Sequence, residues 1–350
     1  MSRSPARVHA VGTAVPETSW TQTEIMEGLG LTHPIVRRLL RTNHIEKRHL
    51  ILPERDPSGL FRKESVLELR EKFARGAHEV GGEAMRTCME HAGVAATEVG
   101  YLATTTSTGF TMPGLSAQFV PALGMRADTQ RLDVVGMGCN AGMNALGTAA
   151  RWAQLHPGRW AMVVCCEINS AIYSEGDDSE TAIVNSLFGD GVAAVLLNTE
   201  VGTSTPQLLD FASCIFPEEA TSMRFDQDAH DGRFRFRLSR AIPYVLGVKG
   251  RQPIIDFLER HGLKRSQIRH WILHTGGGAV IDAMKMGLNL TEHDVRHTRS
   301  VLREYGNLSS GSFLFSYRRL VDEQSPSEGD FGVMIAMGPG AQIELGLLQW

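Results

Sequence analysis

Apolar and polar positions along this chain fall into two regimes. Short runs are almost wholly apolar, and longer stretches repeat apolar positions at helical spacing. Arg7 to Gly12 predicts a first strand, which Pro16, Glu17 and Thr18 turn into a helix beginning near Thr21. Leu67 to His91 reads as one long amphipathic helix ending at Gly93, well placed as a C-cap. Val99 to Thr105 predicts the next strand, followed by a polar loop, a turn at Met112, Pro113 and Gly114, and a helix from Leu115 to Leu123. Trp160 to Cys166 is apolar throughout, which predicts a strand buried on both faces in a sheet covered by helices. Val192 to Leu197 and Leu208 to Ile215 predict two more strands. Thr199 to Gln207 between them is the candidate boundary between an N-terminal half, residues 1–200, and a C-terminal half, residues 201–350.

The halves repeat. A shift of 169 residues sets Glu90 against Glu259 and Gly93 against Gly262, and places Thr105 on His274 and Gly109 on Gly278. The same shift brings Cys139 opposite the stretch holding Asn307 and Leu308. With slightly different offsets, Ala161 to Val164 matches Val333 to Ala336, and Val192 to Leu197 matches Ile343 to Leu348. The pattern predicts a duplicated α/β unit whose two equivalent corners meet near a pseudosymmetry axis.

One of those corners is distinctive. Leu132, Val134 and Val135 read as a short buried strand, Gly136, Gly138 and Gly142 bracket Cys139, and Met143, Leu146, Ala150 and Trp152 keep helical spacing. A cysteine at such a strand-to-helix apex sits beside unpaired backbone N–H groups and the positive end of a helix dipole, which favour a thiolate. The same features also describe an ordinary buried cysteine. The other corners supply His274, leaving the strand Trp271 to Leu273 into three glycines, and Asn307, opening a helix that continues through Phe313 to Leu320. Singly these read as a core histidine and an N-cap. Together they place Cys, His and Asn at strand ends, where α/β ligand sites form. That set suits acyl transfer: a thiolate paired with His274 accepts an acyl group, and His274 and Asn307 donate to a thioester oxygen as it becomes an enolate. No metal or redox cofactor is called for.

Composition narrows the setting. The 350 residues are 42% hydrophobic and 21% charged, with a formal charge of -4, which argues against general nucleic-acid binding. No apolar run reaches the roughly 20 residues of a membrane helix, and the opening residues lack a signal-peptide core, so the expectation is a cytoplasmic protein. Cys88, Cys139, Cys165, Cys166 and Cys214 are odd in number and lack metal-site spacing, which suggests neither a disulfide framework nor structural zinc. Arg37, Arg38, Arg41, Lys47 and Arg48 form a basic stretch that is either a solvated helix face or a rim for a phosphorylated ligand such as coenzyme A.

At GMGCNAG, SLFGDG, HTGGG, GNLSSGSFLFSY and MGPG the chain resembles the type III polyketide synthases of the thiolase superfamily, from near Val8 to Trp350. DVRHT and the final Gln349 and Trp350 are most similar to the bacterial 3,5-dihydroxyphenylacetyl-CoA synthases of glycopeptide-antibiotic pathways. The resemblance implies a homodimer with the layered αβαβα thiolase fold, using malonyl-CoA, with enoyl-CoA-hydratase-like helpers in the pathway. It carries over Cys139 as nucleophile and His274 and Asn307 as the oxyanion and decarboxylation pair. Phe188 and Phe236 match the gatekeepers between CoA tunnel and cavity, and Ser107, Thr108, Asn169, Ile172 and Ser309 match cavity-lining positions. Met112 matches the methionine that crosses into the neighbouring subunit's cavity, and Arg38 a CoA-binding basic position. Asn169 and Ile172 replace threonines of the plant members, and Ala336 and Met337 stand where those have Gly-Phe before Gly-Pro-Gly, so the starter and ring closure do not transfer from plant enzymes.

The implied activity is decarboxylative Claisen condensation of malonyl units followed by closure to 3,5-dihydroxyphenylacetyl-CoA. Rival readings are a pyrone, alkylresorcinol or phloroglucinol product, a ketoacyl-ACP synthase III, and a catalytically silent thiolase-fold subunit. The intact Cys139, His274 and Asn307 speak against the last.

Overall fold

The computed structural model describes residues 4–32, 34, 37–38, 43–173, 179–200, 205–229, 232–239, 241–324 and 326–350. The N-terminal half contributes β1 (Arg7–Ala14), β4 (Val99–Thr106), β5 (Gln130–Val135), β6 (Trp160–Glu167) and β7 (Gly191–Asn198). The C-terminal half contributes β8 (Gln207–Ile215), β11 (Ile268–Leu273), β12 (Phe331–Gly338) and β13 (Gln342–Gln349). Short ribbons join β2 (Ser19–Thr21) to β3 (Lys47–His49) and β9 (Met223–Gln227) to β10 (Phe234–Leu238).

The duplication is visible in the strand order β11-β12-β13-β8-β1-β7-β6-β4-β5. In each half a parallel pair, β4 with β6 or β11 with β12, is followed by an antiparallel strand, β7 or β13, and by another, β1 or β8. The halves touch across a narrow seam in which Arg7 pairs with Gln207.

Layering follows from strands buried on both faces. In β6, Ala161, Val163 and Cys165 enter one core while Met162, Val164 and Cys166 enter another. The first core is central, and it holds the helices Ala141–Leu155 and Ser312–Asp322 between the two halves of the sheet. The second packs helix Val66–Ala92 on the outside, and a third packs Phe257, Val280, Ile281 and Met284 outside β11 and β12. Helix, sheet, helix, sheet, helix is the αβαβα thiolase arrangement expected.

Strand and helix approach most closely where β1 crosses the helix Val66–Ala92. A Cβ on Gly12 would lie 2.2 Å from the Ala84 carbonyl oxygen and 2.4 Å from the Cys88 nitrogen, both backbone. Gly12→Ala is therefore expected to cost about 1–3 kcal/mol of overpacking, read as a lower denaturation midpoint with unchanged cooperativity.

Two expectations are corrected here. The strand before Cys139 is not buried: β5 is the edge of the sheet, pairs with β4 alone among the described residues, and leaves Val135 53% exposed. The basic stretch also divides. Arg37, Arg38 and Lys47 are exposed, but Arg48 on β3 is fully buried, and Arg41 lies outside the described residues.

Candidate active site

The two pseudosymmetric corners do meet. Cys139 lies in a short 3-10 turn, Gly138–Asn140, that leads into the central helix Ala141–Leu155. Gly136 and Gly138 adopt positive φ angles of 86° and 68°, a region open to glycine at no steric cost, and so swing the chain from the edge strand into the core. In the other half the turn Ser309–Gly311 leads into the second central helix, which begins at Ser312. Ser309 Oγ donates to Cys139 Sγ at 3.4 Å across the axis.

Cys139, His274 and Asn307 are buried and line one cavity of about 480 Å³. Phe188 and Phe236 stand in its wall with ring centroids 5.7 Å apart, edge to face. Apolar residues such as Met223 and Leu246 share its wall with Asn43, Ser186, Ser239 and Asp282, and because Cys139 and His274 are themselves buried, charges on them are poorly solvated. Burial pushes the Cys139 thiol up to about 12, against a small opposing effect of the Ser309 hydrogen bond. Burial also pulls the His274 imidazole down to about 4. Each group taken alone is thus neutral at pH 7.

The hydrogen bonds fix how the two polar partners face the cavity. Ser312 Oγ donates to the Ser309 carbonyl at 2.9 Å and accepts from the Thr275 N–H at 3.4 Å. With that hydroxyl proton committed, His274 Nδ1 is the donor in its 2.5 Å contact with Ser312 Oγ. The neutral ring therefore carries its lone pair on Nε2. Asn307 is oriented in the same way. Its Oδ1 accepts from the Ser309 N–H at 2.8 Å, which leaves the two Nδ2 protons as donors uncommitted among the described residues. Its backbone exchanges bonds with the residues on either side of Phe188, N–H to Leu187 O at 2.8 Å and O from Gly189 N–H at 3.0 Å. Asn307 is accordingly not the N-cap that its position suggested, because its side chain closes a turn onto Ser309, three residues before the helix.

A second cavity of about 460 Å³ is lined by Ser107, Thr108, Ile172, Phe225 and Phe234, and Met223 is common to both. Ser107 Oγ stands 2.9 Å from Ser309 Oγ and donates to Glu167 Oε2 at 3.0 Å, while Ser310 Oγ donates to Glu167 Oε1 at 2.5 Å. Glu167 was not singled out in the sequence, where it reads as the polar end of a core strand. Burial raises its carboxyl above the ordinary carboxylate range, while the hydroxyl and N–H bonds pull the other way.

The remaining expected residues separate. Asn169 is buried behind the wall, its Nδ2 donating to the Gly189 carbonyl at 2.5 Å, and does not line these cavities. Met112 is 88% exposed and belongs to neither cavity of its own chain. Arg38 is exposed and is not among the residues that line these two cavities. Among the described residues no cluster of His, Cys, Asp and Glu could hold a metal ion, and no helix is long and apolar enough to cross a membrane.

Known proteins agree with this construction over the whole chain. Residues 1–201 match the family model of the chalcone and stilbene synthases, N-terminal domain, and residues 210–349 match the C-terminal domain of the same family. A 3,5-dihydroxyphenylacetyl-CoA synthase of Streptomyces toyocaensis is 46% identical, covering 98% of this chain and 90% of its own. Another from Amycolatopsis orientalis is 44% identical over 98% of this chain and 93% of its own. The solved structure of 1,3,6,8-tetrahydroxynaphthalene synthase from Streptomyces coelicolor A3(2), a bacterial type III polyketide synthase, superposes with a TM-score of 0.90 at 26% identity, covering 98% of this chain and 99% of that one. A thiol, an imidazole and an amide lining one cavity of a duplicated thiolase fold, together with matches to both domain models from one end of the chain to the other, make this chain a member of the chalcone and stilbene synthase family, the type III polyketide synthases.

Proposed function

We propose that this enzyme builds 3,5-dihydroxyphenylacetyl-CoA from malonyl-CoA alone, with Cys139, His274 and Asn307 as its catalytic residues. The observation that carries the reading is the single cavity in which a thiol, a basic Nε2 and an uncommitted amide Nδ2 converge. Cys139 passes its proton to His274 Nε2, and the resulting thiolate attacks a malonyl thioester and expels coenzyme A as its thiolate, which takes a proton from water, so that His274 stays protonated at Nε2. A further malonyl-CoA then loses CO2. The electron pair of the broken C–C bond enters the thioester as an enolate, whose oxygen accepts hydrogen bonds from His274 Nε2–H and Asn307 Nδ2. The enolate carbon attacks the acyl group on Cys139 and releases the thiolate, so each cycle lengthens the chain by two carbons. Phe188 and Phe236 gate the passage, Ser107, Thr108 and Ile172 shape the ring-closing cavity, and Ser309, which lines neither cavity, sets its hydroxyl between Ser107 and Cys139. The relatives at 44% and 46% identity support the product assigned.

The working form is a homodimer. The open edge of β5, with Val135, Phe110 and Met112 exposed beside it, suits pairing with a second copy, and Met112 then reaches the partner's cavity. Arg38 contributes to the coenzyme A rim, no cofactor beyond the thioester substrates is required, and the protein works in the cytoplasm of an antibiotic-producing cell, assisted in its pathway by enoyl-CoA-hydratase-like proteins.

Incubating the purified enzyme with malonyl-CoA as sole substrate tests the reading, with products identified by mass spectrometry. A dihydroxyphenylacetyl product as thioester or acid is expected, and none from Cys139→Ala. Pyrones alone would overturn the product, and activity in Cys139→Ala would overturn the mechanism.

A further inference from the structure

Arg48 is fully buried, and among the described residues its guanidinium bonds to no carboxylate. A desolvated cation of this kind is costly unless its donors are satisfied. Nε and Nη2 donate to Gln22 Oε1 at 3.1 and 2.7 Å, while Nη1 lies 2.7 Å from Tyr173 OH, the Asn185 carbonyl and the Phe188 carbonyl. Those carbonyls belong to one place, the C-terminal end of helix Ser179–Leu187, where the last backbone oxygens have no helical partner and the helix dipole is negative. The neighbouring carbonyls are also taken from outside the helix. Ser186 O accepts from Gln22 Nε2 at 2.9 Å and from Asn43 Nδ2 at 3.3 Å, and Leu187 O accepts from the Asn307 N–H. Tyr173 OH adds a second donor to Phe188 O at 3.0 Å.

We propose that Arg48 is a positioning residue of the active site: it caps the helix Ser179–Leu187 that leads into Phe188 and so sets the position of the gate ring and, through the Leu187–Asn307–Gly189 backbone bridge, that of the Asn307 amide. The part concerning Asn307 rests on the catalytic role proposed above. Packing makes the arrangement tight, since a Cβ on Gly306, next to Asn307, would meet Leu187 O at 2.6 Å and Arg48 Cδ at 2.8 Å. The guanidinium does not line the cavity, so its influence passes through Phe188 and Asn307.

Arg48→Lys keeps the charge but cannot reach Gln22, Asn185 and Phe188 together. Tyr173→Phe removes the second donor to Phe188 and one of the three acceptors of Arg48 Nη1, leaving the Asn185 and Phe188 carbonyls to hold the guanidinium. In both variants and the wild type, Cys139 is alkylated with iodoacetamide and, separately, with N-(1-pyrenyl)maleimide, and the modified site is mapped by peptide mass spectrometry. Iodoacetamide should react within about twofold of wild type in each, because the thiol itself is untouched. The ratio of bulky to small reagent should shift about tenfold in Arg48→Lys, and malonyl-CoA decarboxylation should fall about tenfold relative to alkylation, since small misplacements at a reacting centre are expensive. The shift in Tyr173→Phe should be smaller and in the same direction. An unchanged ratio in both variants, or a fall of all rates in one proportion together with stability, overturns the proposal. If Arg48→Lys does not fold, the ratio in Tyr173→Phe decides. Wild-type enzyme inert toward malonyl-CoA would refute the proposed function, and the reagent ratio would still judge Arg48.

Discussion

Replacing His274 with alanine is expected to slow alkylation of Cys139 at pH 7 by about 10²–10⁴-fold, the range of a positioned general base. Desolvation in the cavity raises the Cys139 thiol to about 12, so the thiol alone is protonated at pH 7 and ionises only as pH rises toward that value. The same desolvation lowers His274 to about 4, so above that pH the ring is neutral and its Nε2 can take a proton. Neither group gains a charge by itself, but transfer between them creates two opposite charges in one poorly solvated cavity, where their attraction is strong. On the catalytic role proposed above the pair ionises as a unit, and the Nδ1–H bond to Ser312 steadies the imidazolium. The wild-type alkylation rate should accordingly be flat from about pH 6 to 9 and fall on the acid side. In His274→Ala it should climb tenfold per pH unit, the signature of a lone thiol with a high pKa. Wild-type enzyme showing the same unit slope across neutral pH would refute the pairing.

How far the sequence carried this reading depended on the distance over which each feature is decided. Buried strands such as Trp160 to Cys166 announce themselves because both faces are apolar, and the structure places Val163 and Val164 in different cores. The shift of 169 residues placed Cys139 opposite Asn307 and Leu308 with no knowledge of the sheet, because both corners begin central helices in repeated units. Arg48 was misjudged for the opposite reason. Its surroundings come from Gln22, Tyr173 and the end of a helix some 140 residues further on, and nothing in its local pattern distinguishes it from the exposed Lys47 beside it. The edge strand before Cys139 shows the same limit: Leu132, Val134 and Val135 look like core, yet no strand of this chain lies beyond them among the described residues. Glu167 was invisible because a carboxylate ending an apolar strand gives no hint of three serine contacts gathered from both halves.

Asn307→Asp is expected to reduce malonyl-CoA decarboxylation by about 10²–10³-fold, the scale of losing one oxyanion-hole donor, while leaving iodoacetamide alkylation of Cys139 within about threefold of wild type. The substitution is nearly isosteric, and one carboxylate oxygen can keep the 2.8 Å contact with the Ser309 N–H that now holds Oδ1. The backbone bonds of residue 307 to Leu187 and Gly189 do not involve the side chain and survive as well. What changes is the atom facing the cavity: a donor Nδ2 becomes an oxygen that repels the enolate at the moment its charge develops. Thiol activation depends on His274 and is largely spared, so the two rates should separate. The experiment follows 14CO2 release from carboxyl-labelled malonyl-CoA beside alkylation kinetics on the same preparations. Equal losses in both rates would mean that Asn307 shapes the cavity as a whole, and an intact decarboxylation rate would leave His274 as the enolate's sole side-chain donor.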